Sequence, residues 1–414
     1  MDHSRPRRGR NGELNVAFVG GPMYDHLYAL IPNFEAQTGY RVNIGARLIH
    51  PELNAHLAAK HDAGAMDYDL VSTHTKYAPS QCDFLLPLDE YVTPAELAEF
   101  VPSTVELARI HGQLMGIPRT IDVRLLYHRA DLFEDERERW AFGERFGWEL
   151  AAPKTWDELR DVARHFTRPP DLYGYVFPGR YSGLFGTFFE LLGMAGGRLF
   201  EEDLSPAFVD PAGEWALGYL RDLHLTYQVT PRELPDWHFD EVAGLFRAGR
   251  CAMVTDWPGG FGTMRDPVAS RVANKLALAL YPVGPTGQRW VYAGGFTFAI
   301  PTSVRDTEGA LALLRFLVSE EAQWEEAQHG AISVRLKVRE RLRLAVAPGS
   351  LEADRLEMLE TTVQNHMLIP PKFPQYPAVE DALWTALQSA ITGQRSVRAA
   401  LEVASNELRR ITHA

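Results

Sequence analysis

The 414 residues include only two cysteines, Cys82 and Cys251. Neither stands in a Cys-x-x-Cys or other metal-type spacing, which excludes a thiolate zinc site and a dithiol redox centre. Two buried free thiols are expected, with no metal and no cofactor. An excess of positive charge is also missing. The formal charge is −12, and a general nucleic-acid binder needs a basic face. No apolar run is long enough to span a bilayer. The start is basic (Arg5, Arg7, Arg8, Arg10) with no apolar segment behind it. No secretory signal is therefore read there, and residues 1–13 are expected to form a disordered tail. Short catalytic signatures are absent as well. There is no Gly-x-Ser-x-Gly elbow, no His-Glu-x-x-His, no phosphate loop and no Gly-x-Gly-x-x-Gly opening a helix. No solenoid period recurs.

What is present is a globular balance, 46% hydrophobic and 23% charged, over a length that predicts two domains. The chain opens with strand Leu14–Val19 and then Gly20-Gly21-Pro22. A helix follows with Leu27, Leu30, Ile31 and Phe34 at helical spacing, and Pro32 inside it predicts a kink or a late start. Strand Val42–Ala46, helix His50–Ala63 and strand Asp69–Thr73 complete a β-α-β-α-β run, the mark of a parallel sheet wrapped by helices. Ligands of such sheets sit beyond the carboxyl ends of the strands, so the loops Gly20–Asp25 and Ser72–Tyr77 carry the first candidates.

Gly112 and Gly116 punctuate a hairpin, after which Ile117–Tyr127 reads as one long buried strand. Its charged residues must find a partner or a ligand, because burying an unpaired charge is costly. A second α/β half follows. Thr155-Trp156-Asp157-Glu158 caps a helix, and an aromatic helix carries Phe185, Phe188 and Phe189. Cys251–Asp256 reads as a buried strand. Val291–Ile300 is a strand interrupted by Gly294-Gly295. Ser319 and Ser396 are helix caps, and two amphipathic helices close the chain.

Taken in order, these signals resemble extracellular solute-binding protein family 1, the sugar-binding subunits of ABC importers related to maltose-binding protein. The resemblance covers residues 14–412. It rests on Asn33-Phe34-Glu35-Ala36-Gln37-Thr38-Gly39, Asp67-Tyr68-Asp69-Leu70-Val71, Gly116-Ile117-Pro118, Pro153-Lys154-Thr155-Trp156-Asp157-Glu158-Leu159, Phe246-Arg247-Ala248-Gly249-Arg250-Cys251-Ala252-Met253, and Pro374-Gln375-Tyr376-Pro377. It implies an α/β, two-lobed periplasmic-binding-protein fold of type II, each lobe a mixed sheet wrapped by helices, with hinge crossings between lobes. The N-terminal lobe is expected over 14–118 with a return segment at about 265–312. The C-terminal lobe is expected over 119–264 and about 313–414, with the last helices packing across. Ligand would be captured in the cleft and stabilise the closed form. The implied partners are a sugar, sugar acid or polyol and the ABC permease subunits, with the chain a monomer and no nucleic acid involved. Family members are exported, so a periplasmic or extracellular location is expected although no signal peptide is visible.

Sugar sites combine planar polar groups with aromatic faces. Gly21, Met23 and Tyr24 follow the first strand. His74, Thr75 and Lys76 match the family loop that supplies polar contacts. Arg119 and Asp122 lie on the long strand, where alternation puts them on opposite faces, so one of the two is expected to fail as a ligand contact. Asp122 with Arg124 would then be an internal ion pair. Tyr181 and Phe185 share a helix-start face and could form a stacking platform. Asp256 and Trp257 are the leading pair, an acid beside an indole. Gly294, Gly295 and Phe296 would offer backbone contacts, Arg335 a polar one, and Tyr376 borders the cleft in the family. If two or more arginines line the site, their bidentate fit to carboxylate, sulfonate or phosphate would make the ligand anionic. A sensory receptor, or a glycan-active enzyme on a related frame, is the alternative to transport.

Overall fold

The structure is a computed structural model that describes residues 12–21 and 24–413. Most of the expected tail, residues 1–11, lies outside the described residues, and so does Met23. In chain order the strands are β1 (Glu13–Val19), β2 (Arg41–Leu48), β3 (Leu70–His74), the short pair β4 (Arg109–Ile110) and β5 (Gln113–Leu114), and β6 (Ile117–Asp122). They continue as β7 (Leu125–Arg129), β8 (Tyr173–Val176), β9 (Cys251–Asp256), β10 (Leu276–Ala279), β11 (Val291–Tyr292), β12 (Gly294–Ala299) and β13 (Met367–Leu368). The chain divides into two compact units. Within the described residues, the first comprises residues 12–122 (less 22 and 23), Gly294–Val346 and Pro370–Tyr376, and the second Val123–Ala293, Ala347–Ile369 and residues 377–413.

The first unit is built on a five-stranded sheet in the order β2-β1-β3-β12-β6. Strands β1, β2 and β3 run parallel, as the β-α-β-α-β pattern requires, while β12 is antiparallel to both β3 and β6. Helix Asp25–Thr38 buries Leu27, Leu30, Ile31 and Phe34 and runs through Pro32 without a break. An interior proline costs about 3 kcal/mol, whereas each buried large apolar side chain returns about 1.5–3 kcal/mol, so four of them outweigh it. Gly39, at φ 78°, ends the helix in the left-handed conformation. Ser319 caps helix Glu320–Gln328 by accepting the Ala322 N–H at 3.2 Å.

The second unit carries a four-stranded sheet, β10-β7-β9-β8, with β8 and β9 parallel. Thr155 accepts the Glu158 N–H and starts helix Trp156–Phe166, whose apolar face holds Trp156, Leu159, Val162, Ala163 and Phe166. Helix Tyr181–Met194 is buried on nearly every side, which its aromatic run demands. Among the described residues no helix is long and apolar enough to cross a membrane.

Three expectations change. The run Ile117–Tyr127 is two strands, not one. Strand β6 pairs with β12 in the first unit and β7 with β9 and β10 in the second, and the change falls at Val123-Arg124. Val291–Ile300 is likewise two strands, β11 pairing with β13 and β12 with β3 and β6. Because β10 pairs with β7, the return segment of the first unit is Gly294–Val346 rather than about 265–312. The tight hairpin β4–β5 turns at His111 and Gly112, both with positive φ. Gly116 instead packs against Phe298, whose carbonyl oxygen would stand 2.9 Å from an added Cβ.

Candidate functional site

In the first unit the carboxyl end of β3 carries three of the predicted polar residues. His74, Thr75 and Lys76 are all buried. The Thr75 N–H donates to the Gly295 carbonyl at 3.0 Å, and the Lys76 N–H donates to His74 Nδ1 at 3.2 Å. His74 opposes Phe296 across β3 and β12. Its ring lies over the start of β12, where a Cβ on Gly294 would come within 2.2 Å of His74 Cε1. Only glycine leaves room for the imidazole there. The predicted residues His74, Thr75, Gly294, Gly295 and Phe296 therefore form one construction.

Two residues that the sequence reading did not select complete it. His50, at the start of helix His50–Asp62, places its ring 4.8 Å from each of His74, Tyr77 and Phe296. Neither of its ring nitrogens has a hydrogen-bond partner among the described residues. Tyr77 packs 6.4 Å from Tyr376, and the Lys76 ammonium lies 4.7 Å from the Tyr77 ring and 6.0 Å from the Tyr376 ring. Tyr24 meets Phe296 edge-on at 5.4 Å, and Gly21, at φ 125°, accepts the Tyr24 N–H. His50 was findable, since it stands just beyond the carboxyl end of β2.

Burial, then the neighbouring His50 and Lys76 charges, hold His74 well below the usual 6.5. Burial and then Lys76 act on His50 in the same direction. Both imidazoles are therefore neutral near pH 7, each able to donate at one nitrogen and accept at the other. That suits hydroxyl groups.

Arg119 and Asp122 are not on opposite faces. Across β6 and β12, Phe296 opposes Thr120 and Thr297 opposes Pro118, which leaves Arg119 as the extra residue of a bulge. The bulge breaks the alternation. Arg119 forms a buried ion pair with Glu326, and its guanidinium lies 5.5 Å from the Tyr24 ring centroid. Asp122 is pushed up to about 7 by burial, with Arg119 pulling the other way and Glu326 adding to the rise. The expected Asp122–Arg124 pair does not form, because Arg124 is bound to Glu190.

In the second unit β9 is wholly buried and ends at Asp256. The Asp256 carboxylate packs against Gly260, where an added Cβ would meet Oδ2 at 2.4 Å. Burial pushes Asp256 up to about 7, against the Trp257 N–H and the Arg124 charge. Trp257 is half-buried and meets Phe239 at 5.4 Å and Tyr292 at 6.3 Å, both edge-on. Tyr181 and Phe185 separate. Tyr181 is exposed and packs 5.0 Å from Trp384 and 5.9 Å from His238. Phe185 is enclosed and stacks on Phe189. Arg335 is turned to other work in the first unit: it pairs with Glu99, donates from Nε to the Val318 carbonyl at 2.7 Å and covers Phe100. Arg180 lies 3.9 Å from Glu241. Arg119, Arg180 and Arg335 thus each face a carboxylate of the protein itself, while Arg119 Nε and Nη1 and Arg180 Nε have no hydrogen-bond partner among the described residues. Among the described residues no group of His, Cys, Asp and Glu could hold a metal ion, and both cysteines are free thiols.

The sequence profile of the family described as bacterial extracellular solute-binding protein matches residues 21–324. A probable ABC transporter-binding protein of Deinococcus radiodurans is 24% identical over 366 residues, 84% of this chain and 81% of that one. A mannitol-binding protein of Pseudomonas aeruginosa is 25% identical over 349 residues, 79% of this chain and 76% of that one. Among solved structures, maltose-bound T. maritima MalE3 superposes with a TM-score of 0.84 at 26% identity, covering 96% of this chain and 99% of that one. The α/β fold is that of these two-lobed binding proteins.

Proposed function

The chain belongs to the bacterial extracellular solute-binding protein family, and on that premise we propose that it is the ligand-binding subunit of an ABC importer for a sugar or polyol. It captures the compound outside the cytoplasmic membrane and passes it to membrane permease subunits as a monomer, without chemical change. The mannitol-binding relative and the maltose-bound structure support a polyhydroxylated ligand. The observation that carries the reading is the same arrangement in each unit. At the carboxyl end of a buried strand, buried polar groups stand beside aromatic rings: His74 and Thr75 with Phe296, and Asp256 with Trp257. Hydroxyl groups would be met by the neutral imidazoles and the carboxyl, and C–H faces by the rings.

Ligand contacts are assigned to Tyr24, His50, His74, Thr75, Tyr77, Asp256 and Trp257, with backbone contacts from Gly294 and Gly295. Titration calorimetry on wild type and Trp257→Ala tests this assignment. The variant should lose about 2 kcal/mol or more of binding free energy, a factor of ~30, with its unfolding midpoint little changed. Unchanged affinity would remove Trp257 from the site.

A further inference from the structure

Trp257 does not stand alone at the end of β9. The guanidinium of Arg124 lies 5.2 Å from its ring centroid, and 5.7 Å and 5.8 Å from those of Phe239 and Tyr281. Arg124 and Glu190 both have side-chain exposure of 0%. Arg124 Nη2 donates to Glu190 Oε2 at 2.5 Å, while Glu190 Oε1 accepts the Tyr292 N–H at 2.8 Å. Arg124 Nε and Nη1 have no hydrogen-bond partner among the described residues, and the guanidinium stands among aromatic rings. Glu190 therefore fixes two neighbours of the indole at once, the guanidinium on one oxygen and the Tyr292 backbone on the other.

A fully buried ion pair is a poor way to stabilise a core, because well-packed apolar residues do as well or better. This pair does something an apolar pair cannot. A desolvated guanidinium is attracted to the face of an indole, which restrains a half-buried side chain that would otherwise sample several rotamers. Ordering such a side chain on binding costs conformational entropy. An indole already held in place avoids that cost. Glu190 meanwhile cancels the charge, so no net positive field is presented beside Trp257.

We infer that Arg124 is the positioning residue of Trp257, and that its neutralisation by Glu190 selects an uncharged polyhydroxylated ligand over the corresponding acid. The inference rests on the sugar- or polyol-binding reading above. It assigns to a buried side chain, which itself contacts no ligand, both the readiness of the indole and the charge preference of the surface.

The first test needs no ligand. In the full chain labelled with 5-fluorotryptophan, the ¹⁹F resonance missing from Trp257→Phe identifies Trp257. In Arg124→Gln/Glu190→Gln, a charge-free pair that leaves no carboxylate unpaired, that resonance should move or average while those of the other tryptophans hold. An unmoved Trp257 resonance, or equal movement of all of them, overturns the positioning role.

The second test is a thermal-shift panel of mannitol, ribitol, maltose and glucose against mannonate, gluconate and maltobionate. Wild type should be stabilised by a neutral member. Glu190→Gln leaves the buried Arg124 guanidinium uncompensated and is therefore compared below its own unfolding midpoint. It should narrow that preference over the matching acid by about tenfold, while Arg124→Gln/Glu190→Gln should keep it. An unchanged preference in folded Glu190→Gln overturns the charge assignment. Stabilisation by the acids alone overturns the charge assignment and leaves the importer reading standing. No shift from any compound fails the sugar-binding reading itself, while the fluorine spectrum still decides whether Arg124 holds Trp257.

Discussion

Gly294 shows how a residue without a side chain can belong to a binding surface. His74 occupies the space its Cβ would need. Gly294→Ala should therefore push the imidazole out of register, costing about 1–3 kcal/mol of stability in a denaturant titration and weakening ligand binding by calorimetry. A variant with wild-type midpoint and affinity would show that His74 adjusts freely. Asp256 makes a pH prediction. Burial raises it to about 7 from 3.8. A carboxyl whose folded value is raised contributes stability that is complete below the unfolded value and lost as pH rises through the folded one. Between pH 5 and 8, wild type should lose stability relative to Asp256→Asn by on the order of 2–3 kcal/mol. Parallel pH profiles for the two proteins would contradict this. His50 and His74 have the opposite sign. Their values are lowered, so their contribution is present above 6.5 and lost as pH falls below it.

At the scale of elements, most of the frame was legible in the sequence. Hydrophobic spacing located helix Asp25–Thr38, the strands β1 and β3, and the caps at Thr155, Ser319 and Ser396. The division of Ile117–Tyr127 was not legible, because β6 and β7 are both buried almost throughout and it is their partners that differ. The bulge at Arg119 was hidden too, since it exists only in the register with β12. The same non-locality explains the site. Glycines and strand ends marked His74, Gly294 and Trp257. Glu326, however, is 207 residues from Arg119, and Glu190 is 66 from Arg124. No local pattern ties such pairs together, so Arg119 read as a candidate ligand contact and Arg124 as a partner of Asp122. The Arg119–Glu326 pair anchors β6 to helix Glu320–Gln328 in the first unit, with Gln323 Nε2 donating to the Arg119 carbonyl at 2.9 Å. Glu326→Gln leaves a buried guanidinium uncompensated and should cost about 3–5 kcal/mol of unfolding free energy. A urea midpoint within error of wild type would mean that Arg119 finds water or another acceptor.

For the whole molecule, the family and fold place the chain among extracellular solute-binding proteins, while composition alone had gone no further than a globular chain of two domains. What separates a receptor from an enzyme on a related frame is whether the bound compound leaves unchanged. The most direct measurement is therefore the unfolding temperature of the full chain against rising concentrations of neutral sugars and polyols, with the recovered compound analysed for cleavage. A binder gains about 2.7 kcal/mol at a hundred times Kd and goes on gaining with the logarithm of concentration. The account predicts such a rise for at least one sugar or polyol, recovered intact. No stabilisation by any of them, or recovery of a hydrolysed product, would contradict it.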